Sequence, residues 1–546
     1  MYSLWVIFVA GLGCVDLVSG PLKIAIHSSS PSKSHVVPIL EISEVLIARG
    51  HSVTFAAHDK TLAFSKGYSV EQYSFGFSPG DRDVSINSTL QQQDPFEKLE
   101  ESFKLAANYQ KAIYAETISP FLKFLRDKRP DVIICDHAAP VCLDLANAKG
   151  IPLVISLQAL GIQDWEVASY LTANYLPGPL TTRSMTIRDR ARDLYNKHFR
   201  LKKLLGPVRT LFRDLRREYQ LAVHQPIYEL SNYGLTISCS FVGFEPAQPL
   251  DSRSQLIGPV ISSMPSQKKP SIAAFLNSHR RVLYIASGSM LAVDPANIQL
   301  LLQAALDFIS DDVIDGLIWG LGETDPKAFP KSVAYNGKEI LTRALFDSSF
   351  VRILDWAPQK QILDHKNTRL FISHGGLASC LEAINSQTPI IGMSLAFDQY
   401  KNIAKLVHSN IGQAIDHTTS LKETIATILE DKGGMYKANL QRMKILFHFG
   451  QRKLSLAADM VEEHAYLAKA CRPYEPYDSN ANMPPCELTH RTPAGYYMSY
   501  LRANNIDLYF LLLLTIATIL YFCNLFLGNL ISVVGLRVTA NKRKRD

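Results

Sequence analysis

Ten short apolar runs, bounded by turn residues, alternate with helix-period segments through most of this chain. Strands joined through helices run parallel, because each crossover carries the chain back to the same end of its sheet. The first series is KIAIH (23–27), SVTFAA (52–57), DVIIC (131–135), PLVIS (152–156) and LTISCS (235–240). The second is RVLYIAS (281–287), GLIWGL (316–321), VRILDW (351–356), RLFIS (369–373) and PIIGM (389–393). Between them stands ISSMPSQKKPS (261–271), polar and proline-bearing, which reads as a linker. The expectation is an α/β protein with two doubly wound domains facing a cleft, its ligands held outside the carboxyl ends of the strands. At 546 residues the chain is too long for one ordinary core and suits two domains plus extra segments.

Both ends read as targeting segments. LWVIFVAGL (4–12) is a short apolar core followed by small residues near Ser19 and Gly20, so 1–20 reads as a signal peptide, although it lacks the usual basic start. LYFLLLLTIATILYFCNLFLGNLISVVGL (508–536) has no charge over a length that crosses a bilayer, so a transmembrane helix is expected in 507–536. Arg537, Lys542, Arg543, Lys544 and Arg545 follow, which places 537–546 in the cytosol and the bulk of the chain in the lumen of the secretory pathway. Lys542 and Lys544 fit an endoplasmic reticulum retrieval signal, and a plain stop-transfer anchor explains them equally. The net charge of +7, part of it in this tail, makes no case for nucleic acid. Eight cysteines contain no C-x-x-C, so a zinc site is a poor reading. Cys471 and Cys486 flank a proline-rich segment that a disulfide would close in an oxidising lumen. Asn87, in NST, is a glycosylation sequon for that compartment. The charged stretch 183–219 carries Leu and Phe at helical spacing; a solvated helical insertion is preferred over helices lying on the membrane surface.

The chemistry concentrates around LFISHGGLASCLEA (370–383). An apolar run ends in His374, Gly375 and Gly376 just where a helix begins. Glycine lets backbone approach a ligand closely, and a helix amino terminus offers unpaired N–H groups and a dipole that favours an anion. An imidazole therefore stands at the mouth of a phosphate cradle. Upstream, WAPQ (356–359) supplies an indole for stacking on a base and Gln359 for ribose or base edges. Glu382, eight residues after His374, points the same way and suits both ribose hydroxyls. FDQ (397–399) adds Asp398 and Gln399, suited to sugar hydroxyls.

W-x-P-Q, H-x-G, a Glu eight residues after the His, Pro389 and D-Q together resemble the signature of the UDP-glycosyltransferase family, nearest in layout to the animal-type glucuronosyltransferases and glucosyltransferases of the endoplasmic reticulum. The resemblance covers essentially the whole chain and is most specific over 356–399. It implies two Rossmann-like domains of the GT-B type, an acceptor domain over 21–262, a UDP-sugar domain over 271–450, and a return helix and linker over 451–503. It also implies roles: Trp356 stacking on uracil, Gln359 and Glu382 on the nucleoside, Gly288, Ser289, His374, Gly376 and Ser379 toward the phosphates, and Asp398 with Gln399 on the sugar. Three positions depart from the pattern. Ala286 stands where Ser is usual, Ala378 where a polar residue is frequent, and Ser394 where proline is expected before Leu395.

In the first domain, His35 precedes a helix where the family places its catalytic histidine, and Asp136 in IICDHAAP matches the partner aspartate. An imidazole suits proton removal from an alcohol near neutral pH, and it needs a group that fixes its tautomer. His27 and His137 are rivals of lower weight. Base and leaving group on opposite faces of the anomeric carbon imply a single, inverting displacement of a hexose, glucose or glucuronate, onto a hydroxyl of a lipophilic small molecule or lipid. No cofactor and no metal is called for; the UDP-sugar is the donor substrate, and the assembly state, homo-oligomer included, stays open. Two readings from other classes are a catalytically silent UDP-sugar-binding partner and a ligand-binding membrane receptor. Retention of His35 and Asp136 speaks against the first, and the nucleotide constellation and absence of a signalling tail speak against the second.

Overall fold

All ten apolar runs become strands in the computed structural model, and they assemble into two parallel sheets. The structure describes residues 20–542, apart from 78–85, 89–94, 159–167, 173–175, 177, 222–233, 266–267, 289–290, 396–397, 416–419, 472–487, 489 and 495–497. The expected signal peptide and the last four residues of the tail therefore lie outside the described residues.

The first sheet comprises β1 (Lys23–His27), β2 (Ser52–Ala57), β3 (Glu71–Ser74), β4 (Val132–Asp136), β5 (Leu153–Leu157), β6 (Leu235–Ser238) and β7 (Ser254–Leu256), in the order β3-β2-β1-β4-β5-β6-β7. The second comprises β8 (Val282–Ala286), β9 (Gly316–Gly320), β10 (Val351–Leu354), β11 (Thr368–Ser373), β12 (Ile390–Gly392) and β13 (Gly412–Ala414), in the order β10-β9-β8-β11-β12-β13. The two domains are Rossmann-like. Strands β3, β7 and β13 add to the ten expected, and all three are short edge strands in which polar or small residues replace an apolar run. The central runs have to be largely apolar. On β11, Leu370 and Ile372 pack into one core with Leu283, Trp319 and Ile391, while Phe371 packs into another with Tyr284, Ile318 and Ile390. Side chains alternate across a sheet, so a strand covered by helices on both faces has no solvent side for a polar residue.

In each sheet the strand order reverses beside the first strand, between β1 and β4 and between β8 and β11. Those reversals open crevices at the carboxyl ends of the strands. Helix α1 (Lys33–Ala48) follows β1, and Asp136 is the last residue of β4. A disulfide between Cys135 and Cys142 ties the end of β4 to α3 (Pro140–Ala148), the helix after α2 (Pro95–Lys128). Cys471 is also disulfide-bonded, and its expected partner Cys486 lies outside the described residues.

The charged stretch is helical, as α4 (Ile187–Tyr195) and α5 (Leu201–Glu218). None of α4 is buried, but α5 is more than a solvated face: Val208, Phe212 and Leu215 pack with Tyr114, Ile118 and Phe121 of α2. Its Arg216 is buried and paired with Asp144 at 2.9 Å, and Tyr114 donates to the same carboxylate. The strand Ile86–Ser88, which contains Asn87, pairs in parallel with Leu291–Val293 of the second domain. Helix α8 (Leu454–Cys471) follows the second domain but packs on the first: Arg49 pairs with Asp459 and Glu462, His51 Nε2 lies 2.7 Å from Glu462, and Leu153 N donates to His464. Residues 488–546 form a separate unit holding α9 (Ile506–Lys542), whose stretch Ile506–Ile531 has a mean hydropathy of 2.3 and is wholly unburied. By length and composition it is fit to cross a membrane.

One backbone crossing offers a clean test of this packing. Gly258, just after β7, has φ +91°, and a Cβ there would collide with the carbonyl of Gly450, at the end of helix Met435–Gln451. Gly258→Ala is expected to destabilise the protein by about 2–4 kcal/mol through strain and displaced backbone. Gly206→Ala is the control: that glycine is inside α5 with nothing within 4 Å, so alanine should be neutral or stabilising. Thermal unfolding of the two variants checks this, and equal midpoints would contradict the crossing.

Candidate functional site

His35 lies in the first turn of α1, beyond the carboxyl end of β1, and Asp136 ends the neighbouring β4. Adjacent parallel strands thus deliver the two residues to one edge, and His35 Nδ1 stands 2.9 Å from Asp136 Oδ2 and 3.1 Å from Oδ1. The carboxylate is fully buried. It also accepts from Ser28 Oγ at 3.1 Å and from Gln158 Nε2 at 3.4 Å, and His137 Nδ1 lies 3.2 Å away. Burial alone would raise the carboxyl pKa, but the charge of His35 and hydrogen bonds from His137 and His35 hold it far below the usual carboxylate range. Burial pulls the His35 imidazole down, yet the charge and hydrogen bond of Asp136, aided by Asp398, leave its pKa raised. An Nδ1–H donated to Asp136 leaves Nε2 as the free basic nitrogen.

The rival histidines separate. His27 is buried, with Nδ1 2.7 Å from the Ala56 carbonyl and Nε2 3.0 Å from Ser29 Oγ; burial lowers its pKa to about 4. It is a satisfied core residue. His137 stacks on His35 with ring centroids 5.3 Å apart. The ligand atoms of His35, Asp136 and His137 lie within 4.8 Å of one another, a spacing a metal ion could share. Both oxygens of the Asp136 carboxylate already have hydrogen-bond partners, so the arrangement works as a hydrogen-bonded cluster without one.

The second half of the site forms at the end of β11. Gly376 is the residue before α6 (Leu377–Ser386), so the unpaired N–H groups of that helix open toward the cleft. The His374 ring is clasped by two glycines. A Cβ on Gly288 would come within 2.7 Å of it, and one on Gly376 would collide with Nε2. Burial lowers the His374 pKa to about 4, so the imidazole is neutral near neutral pH and has an N–H to offer an anion. Gln359 bridges the remaining residues. Its Nε2 donates to Glu382 Oε2 at 2.7 Å and to Ser379 Oγ at 3.2 Å, while Oε1 accepts from Tyr284 OH at 3.2 Å. Trp356 is 56% exposed, so its indole is open for stacking. Asp398 precedes α7 (Gln399–His408), and its carboxylate accepts from Asn402 at 2.7 Å; Asn402 also donates to the Gly375 carbonyl, which ties α7 to the cradle. Gln399 is buried, and its amide oxygen accepts from Leu395 N. Ser289 lies outside the described residues.

The electrostatic influence of Asp398 on His35 links the two halves across the cleft. Several contributors escape a reading of the sequence. Ser28 and Gln158 carry no motif. Cys135 and Cys142 did leave a signal, since they flank Asp136 at a separation of seven residues, outside the C-x-x-C spacing of metal sites.

A family model described as UDP-glucoronosyl and UDP-glucosyl transferase matches residues 26–453. A UDP-glycosyltransferase of Talaromyces amestolkiae is 28% identical over 508 residues, covering 86% of this chain and 91% of the relative. Human UDP-glucuronosyltransferase 2A3 is 25% identical over 460 residues, covering 76% of this chain and 79% of that one. Among solved structures, the glycotransferase of kitacinnamycin aligns with TM-score 0.55 and 19% identity over 82% of this chain and 100% of that one. A UDP-glucosyltransferase from Polygonum tinctorium aligns with TM-score 0.53 and 16% identity over 81% and 99%. These structures share the two-domain GT-B fold.

The clasp around His374 makes the cradle testable without touching the dyad. Gly376→Ala forces the ring to move and closes space before the α6 N–H groups, so UDP affinity should fall by roughly tenfold or more, about 1.4 kcal/mol per decade. Calorimetric titration with UDP measures it. Unchanged affinity in a folded Gly376→Ala protein would remove the cradle from the site.

Proposed function

The chain belongs to the UDP-glucoronosyl and UDP-glucosyl transferase family and is a transferase, and from that premise we propose that it moves a hexose, glucose or glucuronate, from a UDP-sugar to a hydroxyl of a lipophilic small molecule or lipid. The observation that carries the proposal is the His35–Asp136 pair, held at 2.9 Å where adjacent parallel strands of the first sheet end. His35 Nε2 takes the proton of the acceptor hydroxyl while Asp136 holds Nδ1–H and stabilises the imidazolium that forms. The acceptor oxygen bonds to the anomeric carbon as the bond to the UDP oxygen breaks on the opposite face, so configuration inverts. The leaving diphosphate gains charge in that step. The α6 N–H groups, neutral His374 and Ser379 are placed to stabilise it as hydrogen-bond donors already in position. Trp356 stacks on uracil, Glu382 takes the ribose hydroxyls, and Asp398 with Gln399 serves the sugar. Helix α9 supports a single-pass anchor, with the catalytic domains lumenal in the endoplasmic reticulum or secretory pathway.

Removing the base should slow transfer by about 10²–10⁴-fold and leave UDP affinity nearly intact. A folded His35→Ala protein that binds UDP and turns over near the parent rate would end the mechanism. The pH dependence carries its own sign. The base acts only when neutral, and its raised pKa places the acid limb of the rate profile above the ordinary histidine value. Asp136→Asn removes the charge that raises it, so the rate should fall while the acid limb moves to lower pH. A limb that stays in place in Asp136→Asn would separate the two residues.

Orientation is checked at Asn87. In microsomes, lumenal domains resist added protease, and Asn87→Gln migrates faster on a gel, as glycosidase-treated protein does. Digestion of the catalytic domains in sealed microsomes would reverse the topology.

A further inference from the structure

Lys33 begins α1 two residues before His35, and its ammonium reaches the other domain: Nζ lies 3.8 Å from Glu382 Oε1. The second oxygen of Glu382 accepts from Gln359 Nε2, the same amide group that donates to Ser379. Lys33, Lys360 and Glu382 line one crevice beside Ser262 and Met264 of the interdomain linker. A cation from the first domain therefore stands 3.8 Å from a carboxylate on α6, the helix whose amino terminus forms the cradle. With the Lys33 side chain half exposed, the ion pair adds little to folding stability. Its place suggests another use.

We propose that Lys33 is a donor-binding residue supplied by the acceptor domain, neutralising Glu382 in the empty site and moving to the diphosphate when a nucleoside diphosphate binds. The proposal rests on the donor site described above. A ribose diol that donates to Glu382 displaces the ammonium from Oε1. Ser379 and Glu382 are three residues apart, about 4.5 Å along the axis of α6, within reach of a lysine's flexible four-carbon stem. The displaced ammonium then meets the strongest anion in the cleft. Uridine offers Glu382 the same ribose but gives Lys33 no phosphate, so the two ligands separate the two roles.

The test is calorimetric titration of the full chain in detergent micelles with UDP and with uridine, for the parent, Lys33→Met and Lys33→Arg. Lys33→Met should bind UDP about tenfold more weakly at low salt, with the difference shrinking as ionic strength rises. It should bind uridine as tightly as the parent or more tightly, because Glu382 is freed. Lys33→Arg should keep UDP affinity near that of the parent. Equal UDP affinity in the parent and Lys33→Met overturns the proposal, and so does an equal loss for UDP and uridine, which reports distortion and not a phosphate contact. A parent that binds no UDP overturns the donor-site reading along with it, whereas the other two failures leave that reading standing.

Discussion

The parallel pairing of β1 with β4 is the constraint on which the rest depends. Its register sets His27 opposite Cys135, so Asp136 emerges one residue past the end of β1, beside the loop that leads into α1. A buried carboxylate without partners would be unstable in this position, since the desolvation of a charge costs several kcal/mol. Here the surroundings supply donors from three directions: His35, Ser28 and Gln158. The disulfide between Cys135 and Cys142 brackets the same turn; in the chain-entropy model a loop of this size contributes about 2–3 kcal/mol to stability. The folding core and the His35–Asp136 pair are therefore parts of one arrangement.

The second sheet repeats the device with a different electrostatic solution. His374 also follows a central strand at a strand-order reversal, but among the described residues no carboxylate shifts its pKa. Burial then dominates and its pKa drops to about 4. One imidazole is tuned toward holding a proton and the other toward staying neutral, because one has a buried anion within hydrogen-bond distance and the other feels burial alone. The linkage signs follow. Asp136, with a depressed pKa, stabilises the fold above the ordinary carboxylate value and loses that contribution in acid. His35, with a raised pKa, stabilises it below the ordinary histidine value and loses that contribution as pH rises through the raised value.

Several links hold the halves in register around the cleft. The buried Lys405–Glu245 pair at 2.7 Å joins α7 to the first domain, Lys401 Nζ donates to Thr172 Oγ1, and α8 returns to pack on α1. Charged groups buried in such a junction contribute geometric specificity more than net stability, because pairing offsets desolvation only when every hydrogen-bond partner is in place. Lys401 shows the strain of its setting: burial lowers its pKa to about 8.

The sequence alone determined the strand series, the parallel topology and the run 370–383, because strands buried on both faces must be largely apolar and a cradle needs glycine before a helix. Residue type and spacing also marked Gln359 and Glu382, and the resemblance to a known family marked His35 and Asp136. The edge strands were not legible, since a short polar strand looks like a turn until a neighbour supplies its hydrogen bonds. Nor was the apolar seam of α5 distinguishable from a solvated face, because charge content does not reveal which side meets α2. Only the tertiary structure decided that His137 stacks on His35, that His374 is held without a charged partner, and which lysine faces Glu382. Those outcomes depend on burial and on contacts between residues about 100 positions apart (His35 and Asp136) and about 350 positions apart (Lys33 and Glu382), and no local pattern encodes them.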